Sequence, residues 1–505
     1  MKPNIIFIMT DTQATNMVGC YTGLPLHTDN IDGLARRGVK FTSAWTTAPL
    51  CTPARAGLFT GLYSNQSGPW TNNLAPGKNI RTMGDYFKDN GWQTTYIGKW
   101  HLDGHDYFGT GTGLCPPEWD PEYWYDGANY LLELSEEKIS LWRNGLNTQA
   151  ELERHQIDDE FTWGYRISQR ARHFIDKQRE HPDKPFLLVL SYDEPHHPFT
   201  CPPRYVERFA DFRYPLGAKA TDDLSDKPVH QRLWAKAMPS PVTDGATYHH
   251  PIYFACNNFV DDQIGRVLNH LTPEEWDNTW IVYTSDHGEM MGAHQLISKG
   301  SAGYDDICRV PLIIHGASLP PREIATPVSH IDLLPTLLSI AGIPVPPALQ
   351  GESLLPILAA PEREQQRSVM VEFNRYEIEH DSFGGFIPMR AWVTNDLKLV
   401  INLFDEDELY DRHNDPQELV NLVDSDRYAK RRDMLHDQLL DYMDRIRDPF
   451  RSYRWAMRPW RPDRHEQWLG AFRPKPDDLV SPVVRDYDTG LPTKGVKIEE
   501  KRQKF

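Results

Sequence analysis

The sequence predicts an α/β protein built on a large, mainly parallel β-sheet with helices on both faces. Five short apolar runs, each typical of a buried strand, end in polar residues and are followed by helical patterns. These runs are residues 4–9, 94–97, 186–190, 280–284 and 311–315. The alternation of strands and helices favours parallel pairing, because a crossover helix returns the chain to the edge where the previous strand began.

The pattern changes after a proline-rich connector at residues 343–356. Residues 369–373, 389–394 and 397–403 resemble short strands of a smaller, antiparallel sheet, and residues 428–446 have the periodicity of one amphipathic helix. We therefore predict a C-terminal subdomain made of a small sheet and a helix.

With 505 residues the chain is too long for one ordinary core. We expect residues 1–360 to form the main α/β domain and residues 361–450 the smaller α+β subdomain. Residues 451–505 are rich in Trp, Arg and Pro without a clear period, and we expect an irregular extension that packs on the body.

Composition excludes several classes of protein. The chain has 54 basic and 71 acidic residues, a net charge of −17, which argues against nucleic acid or an anionic membrane surface as a partner. Its six cysteines lack CxxC spacing, so neither a zinc site nor a disulfide framework is indicated. No apolar run reaches the roughly 18 residues of a membrane span, and no signal peptide precedes the first strand, so we expect a cytoplasmic protein.

Polar side chains follow four of the five predicted strands. Parallel sheets place their chemistry at the carboxyl ends of the strands, so these side chains should converge on one edge. The clusters are Asp11, then Lys99 and His101, then His196 and His197, then Asp286 and His287.

Cys51 opens the run CTPARAGLF at 51–59, at or just before the predicted N-terminus of a helix with proline in its first turn. The helix dipole and the free N–H groups at such a place favour an anion. From the residues alone, Cys51 is either a reactive nucleophile or a capping cysteine without a chemical role.

The run CTPARAGLFTG at 51–61 resembles the Cys-x-Pro-x-Arg signature of the type I, formylglycine-dependent sulfatases. The elements GKWHL at 98–102, PHHP at 195–198 and ELYD at 408–411 are similar to elements of the same family. The resemblance implies an alkaline phosphatase-like fold. It also implies that a formylglycine-generating enzyme oxidises Cys51 to an aldehyde, whose hydrate attacks a sulfate ester.

The same resemblance assigns roles to the basic residues. Arg55 would hold the modified side chain in place. Lys99 and Lys299 would bind the sulfate oxygens, and His101 would take a proton during release of sulfate. His196 would be the general acid for the leaving alcohol, with His197 as the alternative.

A metal site is implied by MTDTQ at 9–13 and SDHGE at 285–289. Asp11, Asp286, His287 and the modified Cys51 occupy the ligand positions of the family, but Thr12 stands where a second acidic residue is usual. Oxygen ligands suit Ca²⁺, with Mg²⁺ and Mn²⁺ as alternatives, and the loss of one carboxylate lowers the negative charge that holds the ion.

We therefore expect hydrolysis of a sulfate monoester, with a small sulfated carbohydrate as the first choice of substrate and an aryl or small alkyl sulfate as the second. Aromatic side chains suited to stacking on sugars occur at Trp119, Trp124 and Tyr125. The polar candidates for substrate binding are Asp103, His105, Glu372, Asn374 and Arg375.

Two other functions compete with this one. A phosphonate monoester or phosphodiester hydrolase of the same superfamily can use the same modified cysteine, but such relatives generally lack the Lys and His of the GKWHL element. A non-catalytic glycan-binding relative would have lost catalytic positions, and here all but Thr12 are filled. The sequence leaves the oligomeric state open, a homo-oligomer included.

Overall fold

The computed structural model describes residues 2–104, 110–143, 146, 148–239, 246–359, 366–377, 385–464 and 485–493. Met1–Trp455 form one compact unit, and Ala456–Phe505 form a second one, whose described residues contain short antiparallel bridges. The domain boundaries expected near 360 and 450, and the packing of the extension 451–505, stay predictions.

Strands form where the apolar runs were expected, and each is somewhat longer than its run. The strands are β1 Asn4–Thr10, β2 Val39–Trp45, β3 Gln93–Gly98, β4 Phe186–Ser191, β5 Tyr214–Pro215, β6 Thr247–Tyr248, β7 Thr279–Ser285, β8 Arg309–His315, β9 Arg322–Ile324, β10 Val328–Ser329, β11 Val369–Phe373, β12 Met389–Val393, β13 Leu397–Asn402 and β14 Glu408–Asp411.

Helices connect these strands. They are α1 Gly19–Thr22, α2 Asp29–Arg37, α3 Cys51–Thr60, α4 Ser64–Ser67, α5 Met83–Asp89, α6 Gly127–Leu132, α7 Glu136–Arg143, α8 Gln149–Arg154, α9 Trp163–Gln178, α10 Pro203–Val206, α11 Val229–Ala237, α12 Pro251–Leu268, α13 Pro273–Asp277, α14 Asp305–Cys308, α15 Leu333–Ile340, α16 Leu355–Ala359, α17 Ala429–Ile446 and α18 Tyr453–Ala456. No helix among the described residues has the length and apolar character needed to cross a membrane.

The large sheet confirms the predicted fold class. Its strands lie in the order β10-β2-β8-β7-β1-β4-β3, with β9 beside β2, and β1 pairs in parallel with both β4 and β7. Strand β8 runs antiparallel to β2 and β7, so the sheet is mixed around a parallel centre.

Strand β1 shows why the parallel centre reads as a continuous apolar run. Ile6 and Ile8 belong to the core on one face of the sheet, and Ile5, Phe7 and Met9 belong to the core on the other. Both faces of a parallel strand are covered by helices, so alternation between apolar and polar residues is lost. The polar residues begin only at the carboxyl end, where the strand leaves the core.

The small C-terminal antiparallel sheet was also predicted, with three of its four strands; β14 was not expected. Strands β11, β12, β13 and β14 form an antiparallel sheet in chain order, and α17 packs against β12 and β13. Helix α17 begins one residue after the predicted start and ends at the predicted residue, Ile446.

Candidate active site

The register of the two central strands fixes the acidic part of the site. In the parallel pair β1 and β7, Thr10 lies opposite Ser285, so the next residues, Asp11 and Asp286, leave the sheet side by side. Both carboxylates are fully buried. Residues far apart in the sequence are thus brought together by strand pairing alone.

Helix α3 presents Cys51 to this edge from the side. Cys51 is its first residue, the preceding Leu50 is extended and provides no side-chain cap, and all ten residues of the helix are buried. The helix lies close to the chain leaving β2, since a Cβ on Gly57 would be 2.3 Å from Thr47 Oγ1. Thr52 N–H donates to Asn72 Oδ1 at 3.0 Å and Ala54 N–H to the carbonyl of Leu50, so it is the positive end of the helix dipole, at Cys51, that faces the site.

The Cys51 Sγ atom marks the centre of the site. It lies 2.9 Å from Lys299 Nζ, 3.2 Å from His287 Nε2 and 3.9 Å from Asp11 Oδ1. Burial opposes the charge of Lys299, but the neighbouring Cys51 and Asp11 raise its pKa above the usual range. The atom at position 51 is therefore close to both a fixed cation and potential metal ligands.

The Arg55 guanidinium forms hydrogen bonds with four residues around the site. Its Nε donates to Asp286 Oδ2 at 3.1 Å, its Nη2 to Asp11 Oδ2 at 3.0 Å, and its Nη1 to the carbonyl of Lys99 at 2.7 Å and to Ser191 Oγ at 2.8 Å. These contacts hold both carboxylates in place. The guanidinium of Arg55 thus contacts the two carboxylates. Arg55 and Cys51 both belong to helix α3, so Arg55 positions residue 51 through the helix backbone.

Three side chains and Cys51 form a candidate metal centre. Potential ligand atoms of Asp11, Cys51, Asp286 and His287 all lie within 4.8 Å of one another. His287 Nδ1 donates to the carbonyl of Gly288 at 2.9 Å, which leaves the lone pair of Nε2 directed at the cluster. Burial lowers the pKa of His287 to about 4, so the ring is neutral, as a metal ligand must be.

The two carboxylates have different protonation behaviour. Burial and the neighbouring Asp11 raise the pKa of Asp286 to about 7. Burial also opposes the ionisation of Asp11, but the cations around it, foremost Lys99, hold its pKa well below the usual range. Two adjacent carboxylates and a neutral imidazole are a donor set that suits a divalent cation.

Thr12 does not point into the cluster as a free ligand. Its Oγ1 donates to Asp11 Oδ1 at 2.7 Å, and its backbone N–H donates to Asp286 Oδ1 at 3.2 Å. The residue has a positive φ of 65°, a conformation that Asp and Asn adopt more readily than Thr. Thr12 thus orients both carboxylates without adding a charge.

Lys99 reaches the site from the end of β3. Its Nζ lies 2.8 Å from Asp11 Oδ2 and 2.9 Å from Asp193 Oδ1. Burial opposes its charge, but these two carboxylates hold its pKa well above the usual range. Asp193 follows β4 just before His196 and was missed by the sequence analysis, although its place after a strand was a usable signal.

The two histidines flank the cysteine and both are neutral. His196 Nε2 accepts from Lys299 Nζ at 3.1 Å, and burial together with Lys299 lowers its pKa well below the usual range. His101 has a positive φ of 57° and its Nε2 lies 3.2 Å from Asn73 Oδ1. Burial and Lys99 likewise lower the pKa of His101. Asn73 lies between the predicted strands at 4–9 and 94–97 and directly follows neither, so there was no reason in the sequence to select it.

The predicted substrate-binding residues are placed less uniformly. Asp103 is partly buried and its Oδ2 accepts from the backbone of Thr112 at 2.9 Å, whereas His105 lies outside the described residues. Arg375 is partly exposed at the end of β11. Its neighbour Tyr376, which the sequence analysis did not select, has a pKa raised to about 12 by burial, and it lies close enough to Lys299 and Cys51 for both to influence that pKa.

Glu372 and Asn374 are engaged by other parts of the chain. Glu372 accepts from Ser64 Oγ and Asn65 Nδ2, both at 2.6 Å, and Asn374 Oδ1 accepts from Arg390 Nη1 at 3.0 Å. Both side chains are buried. Their predicted role with substrate stays a prediction, but their present contacts are those of a structural network.

The aromatic insert is part of the core. Trp119 and Trp124 pack around Tyr96, with ring centroids 5.1 and 5.5 Å away, and Tyr125 is also buried. These buried rings therefore pack against β3, which is followed by Lys99, and do not offer a free face to a sugar.

Comparison with known proteins identifies the family. A family model described as sulfatase matches residues 3–343, and one described as N-sulphoglucosamine sulphohydrolase, C-terminal, matches residues 292–445. The chain is 67% identical over 504 residues, with 100% of both chains covered, to the uncharacterized sulfatase YidJ of Escherichia coli (strain K12).

More distant matches agree. An N-acetylglucosamine-6-O-sulfatase of Bacteroides thetaiotaomicron is 28% identical over 88% of this chain and 87% of its own. A solved structure in complex with its substrate D-glucosamine-2-N,6-O-disulfate superimposes with a TM-score of 0.70 at 24% identity, over 89% of this chain and 99% of that one. This chain belongs to the sulfatase family and is a sulfuric ester hydrolase.

Proposed function

We propose that the protein hydrolyses the sulfate monoester of a small carbohydrate, with a formylglycine formed from Cys51 as nucleophile and a divalent cation at Asp11, Asp286 and His287. The observation that supports this most is the position of Cys51 Sγ. It lies at a helix N-terminus, between the candidate metal ligands and Lys299 Nζ at 2.9 Å. In that place the Sγ atom stands in for an oxygen of the modified side chain.

The residues present fit a divalent cation. Two carboxylates and a neutral imidazole supply hard and borderline ligands, which agrees with Ca²⁺ as first choice and Mg²⁺ or Mn²⁺ as alternatives. Such a cation would supply positive charge to the sulfate oxygens. Formylglycine, when hydrated, supplies one hydroxyl as nucleophile and a second whose deprotonation allows sulfate to leave.

The chain's own cations bind and orient the sulfate group. Lys99 and Lys299 are buried ammonium groups on either side of residue 51, and each can offer a charge-assisted hydrogen bond to a sulfate oxygen. Because they are fixed by Asp11, Asp193 and the surrounding loops before substrate arrives, little reorganisation is needed during the reaction.

The histidines move protons. In the substrate-free site His196 is neutral and accepts from Lys299, so its role as general acid requires a proton. An anionic sulfate ester beside the ring would raise its pKa, and we expect His196 to be protonated in the complex. His101, neutral and with its Nδ1 buried, is suited to accept a proton as sulfate is released.

A carbohydrate substrate is supported by the relatives. One is named an N-acetylglucosamine-6-O-sulfatase, and one similar structure contains a disulfated glucosamine. Assay of a panel of monosulfated sugars would identify the sugar and the position of its sulfate. A phosphonate monoester assayed in parallel tests the rival activity, which a preference of the enzyme for phosphonate would establish.

Mass spectrometry of the peptide that contains Cys51 tests the proposed nucleophile. In protein from a host with a formylglycine-generating enzyme we expect the aldehyde, and an intact thiol in active enzyme would contradict the proposal. Cys51→Ser should fold normally and lose turnover by about 10⁴-fold or more. The cytoplasmic location stays a prediction of the sequence.

A further inference from the structure

Lys299 lies on a loop without regular secondary structure, between the short turn Ala293–Gln295 and helix α14. Nevertheless its ammonium group is placed at 2.9 Å from Cys51 Sγ and 3.1 Å from His196 Nε2. A lysine has a flexible four-carbon stem, so its position depends on how firmly the backbone at its base is held. The contacts of this loop therefore determine the geometry of the site.

Helix α11 holds the loop on both sides of Lys299. Trp234 Nε1 donates to the carbonyl of Ile297 at 3.1 Å, and His230 Nε2 donates to the carbonyl of Ser301 at 2.7 Å. The two carbonyls belong to the residues two positions before and two positions after the lysine. His230 and Trp234 are one helical turn apart, so they project from the same face of α11, and both are buried.

His230 is in turn fixed by the small C-terminal sheet. Its Nδ1 and its backbone N–H each lie 2.8 Å from Asp405 Oδ2, in the loop between β13 and β14. The Asp405 carboxylate and the Ser301 carbonyl are both hydrogen-bond acceptors, so each ring nitrogen of His230 faces one acceptor. Burial opposes the charge of Asp405, but these hydrogen bonds lower its pKa below the usual range.

We propose that His230 and Trp234 are positioning residues for Lys299, which links the small sheet to the sulfate-binding site through α11. The inference rests on the proposed function, in which Lys299 binds the sulfate group. Neither side chain needs to touch the substrate, because each acts on the backbone that carries the lysine. A displacement of about 1 Å in a catalytic group can cost on the order of 100-fold in rate.

Trp234→Phe removes the N–H donor and keeps most of the ring. We expect kcat/KM for 4-nitrophenyl sulfate to fall about tenfold, and the dissociation constant of inorganic sulfate, measured by calorimetry, to rise by a similar factor. Trp392→Phe is the matched control, because this indole donates to Gln438 Oε1 at 3.2 Å, on helix α17. The control should leave both quantities unchanged.

Two substitutions of His230 separate its contact with Ser301 from its contact with Asp405. His230→Gln places an amide N–H near the position of Nε2 and can keep the bond to Ser301, whereas His230→Asn places it near Nδ1 and can keep the bond to Asp405. Rescue of sulfate binding by Gln and not by Asn supports the proposal. The reverse order would overturn it, since the effect of His230 would then come from its contact with Asp405 and not from its contact with the Lys299 loop.

The background of Lys299→Ala gives the decisive comparison. If Trp234 acts through Lys299, Trp234→Phe should have no further effect on sulfate binding or turnover in that background. Losses that simply add would overturn the positioning role while leaving the role of Lys299 intact. A Lys299→Ala variant that binds and turns over substrate normally would instead overturn the proposed function of Lys299, and the positioning role with it.

Discussion

Two buried lysines in this protein each pair with two acidic side chains, but one lies at the candidate active site and the other in the small C-terminal sheet. Lys99, at the edge of the large sheet, bridges Asp11 and Asp193 at 2.8 and 2.9 Å. Lys398, in the small sheet, pairs with Asp305 at 2.8 Å and with Glu418. Both ammonium groups are excluded from solvent.

The difference lies in what surrounds the carboxylates. Near Lys398 the two carboxylates have further partners within the protein. Asp305 also pairs with Arg309 at 3.3 Å, and the backbone N–H of Asp305 donates to Glu418 at 2.9 Å. Near Lys99 the carboxylate of Asp11 belongs to a cluster of potential metal ligands with Asp286, His287 and Cys51. The pKa of Glu418 beside Asp305 is raised to about 7, as is that of Asp286 beside Asp11, so a buried ion pair or a pair of adjacent acids does not by itself identify a site. The convergence of acids, an imidazole and a thiol does.

Lys398→Met should produce the largest effect, and it should be on stability. Removal of the cation leaves Glu418 buried without its ammonium partner and Asp305 with Arg309 at 3.3 Å as its ion-pair partner, which costs about 3–5 kcal/mol in the free energy of unfolding. Urea denaturation measures this loss. Turnover per folded molecule should be unchanged, and a selective loss of turnover would place Lys398 in the catalytic region.

Lys99→Met should mainly affect catalysis. We expect kcat/KM to fall by about 10²–10³-fold, or about 3–4 kcal/mol, because a preorganised donor to the sulfate group is lost. Stability should fall less than in Lys398→Met, since Arg55 still neutralises Asp11 at 3.0 Å. Wild-type kinetics in this variant would remove the distinction between the two regions.

Glu194 sharpens the comparison, as a buried acid beside the site that has no cationic partner among the described residues. Its Oε1 accepts from the backbone of Gly164 at 2.8 Å, and burial together with Asp193 raises its pKa to about 7. The folded state therefore keeps a proton that the unfolded chain releases above about pH 4.5, so stability falls as pH rises toward 7.

Glu194→Gln should remove this dependence. Between pH 4.5 and 7 the wild type should lose about 2–3 kcal/mol of unfolding free energy relative to the variant. Denaturation at several pH values measures the difference, and parallel stability curves for the two proteins would contradict the raised pKa.

Thr12→Asp should have the smallest effect and improve the metal site. An added carboxylate beside Asp11 should tighten the binding of Ca²⁺ by about tenfold, or about 1.4 kcal/mol. Thr12→Asn is the matched control, because it has the same shape and tolerates the positive φ without adding charge. Calorimetric titration of both variants would show whether charge or shape sets the affinity.

The sequence predicted the centre of the fold better than its edge. Strands β1, β4 and β7 are long apolar runs because both their faces are buried, and such runs are easily recognised. Strand β2 was missed although the alternation of apolar and polar residues at 39–42 is a strand pattern, and β9 and β10 are too short to have a pattern. The antiparallel direction of β8 depends on tertiary pairing, which a run of apolar residues does not encode.

The residues of the candidate site also fall into two groups, those that the sequence predicted and those that only the structure reveals. Asp11, Lys99 and Asp286 follow strands, so their convergence was predictable from topology. Asn73 joins the site from a loop without a pattern, and could be found only in three dimensions. Glu372 resembles a substrate ligand in sequence, and only its contacts with Ser64 and Asn65 show that it is engaged elsewhere.

The pairing of Thr10 with Ser285 has a further consequence for how the protein folds. A cation held by Asp11 and Asp286 would join the first strand to one from the second half of the chain, and an unfolded chain offers no such pair. Loading and folding are then thermodynamically linked. At a free ion concentration about 100 times the dissociation constant, the cation would add about 2.7 kcal/mol to the free energy of unfolding. The yield of folded protein should accordingly depend on the mineral content of the growth medium.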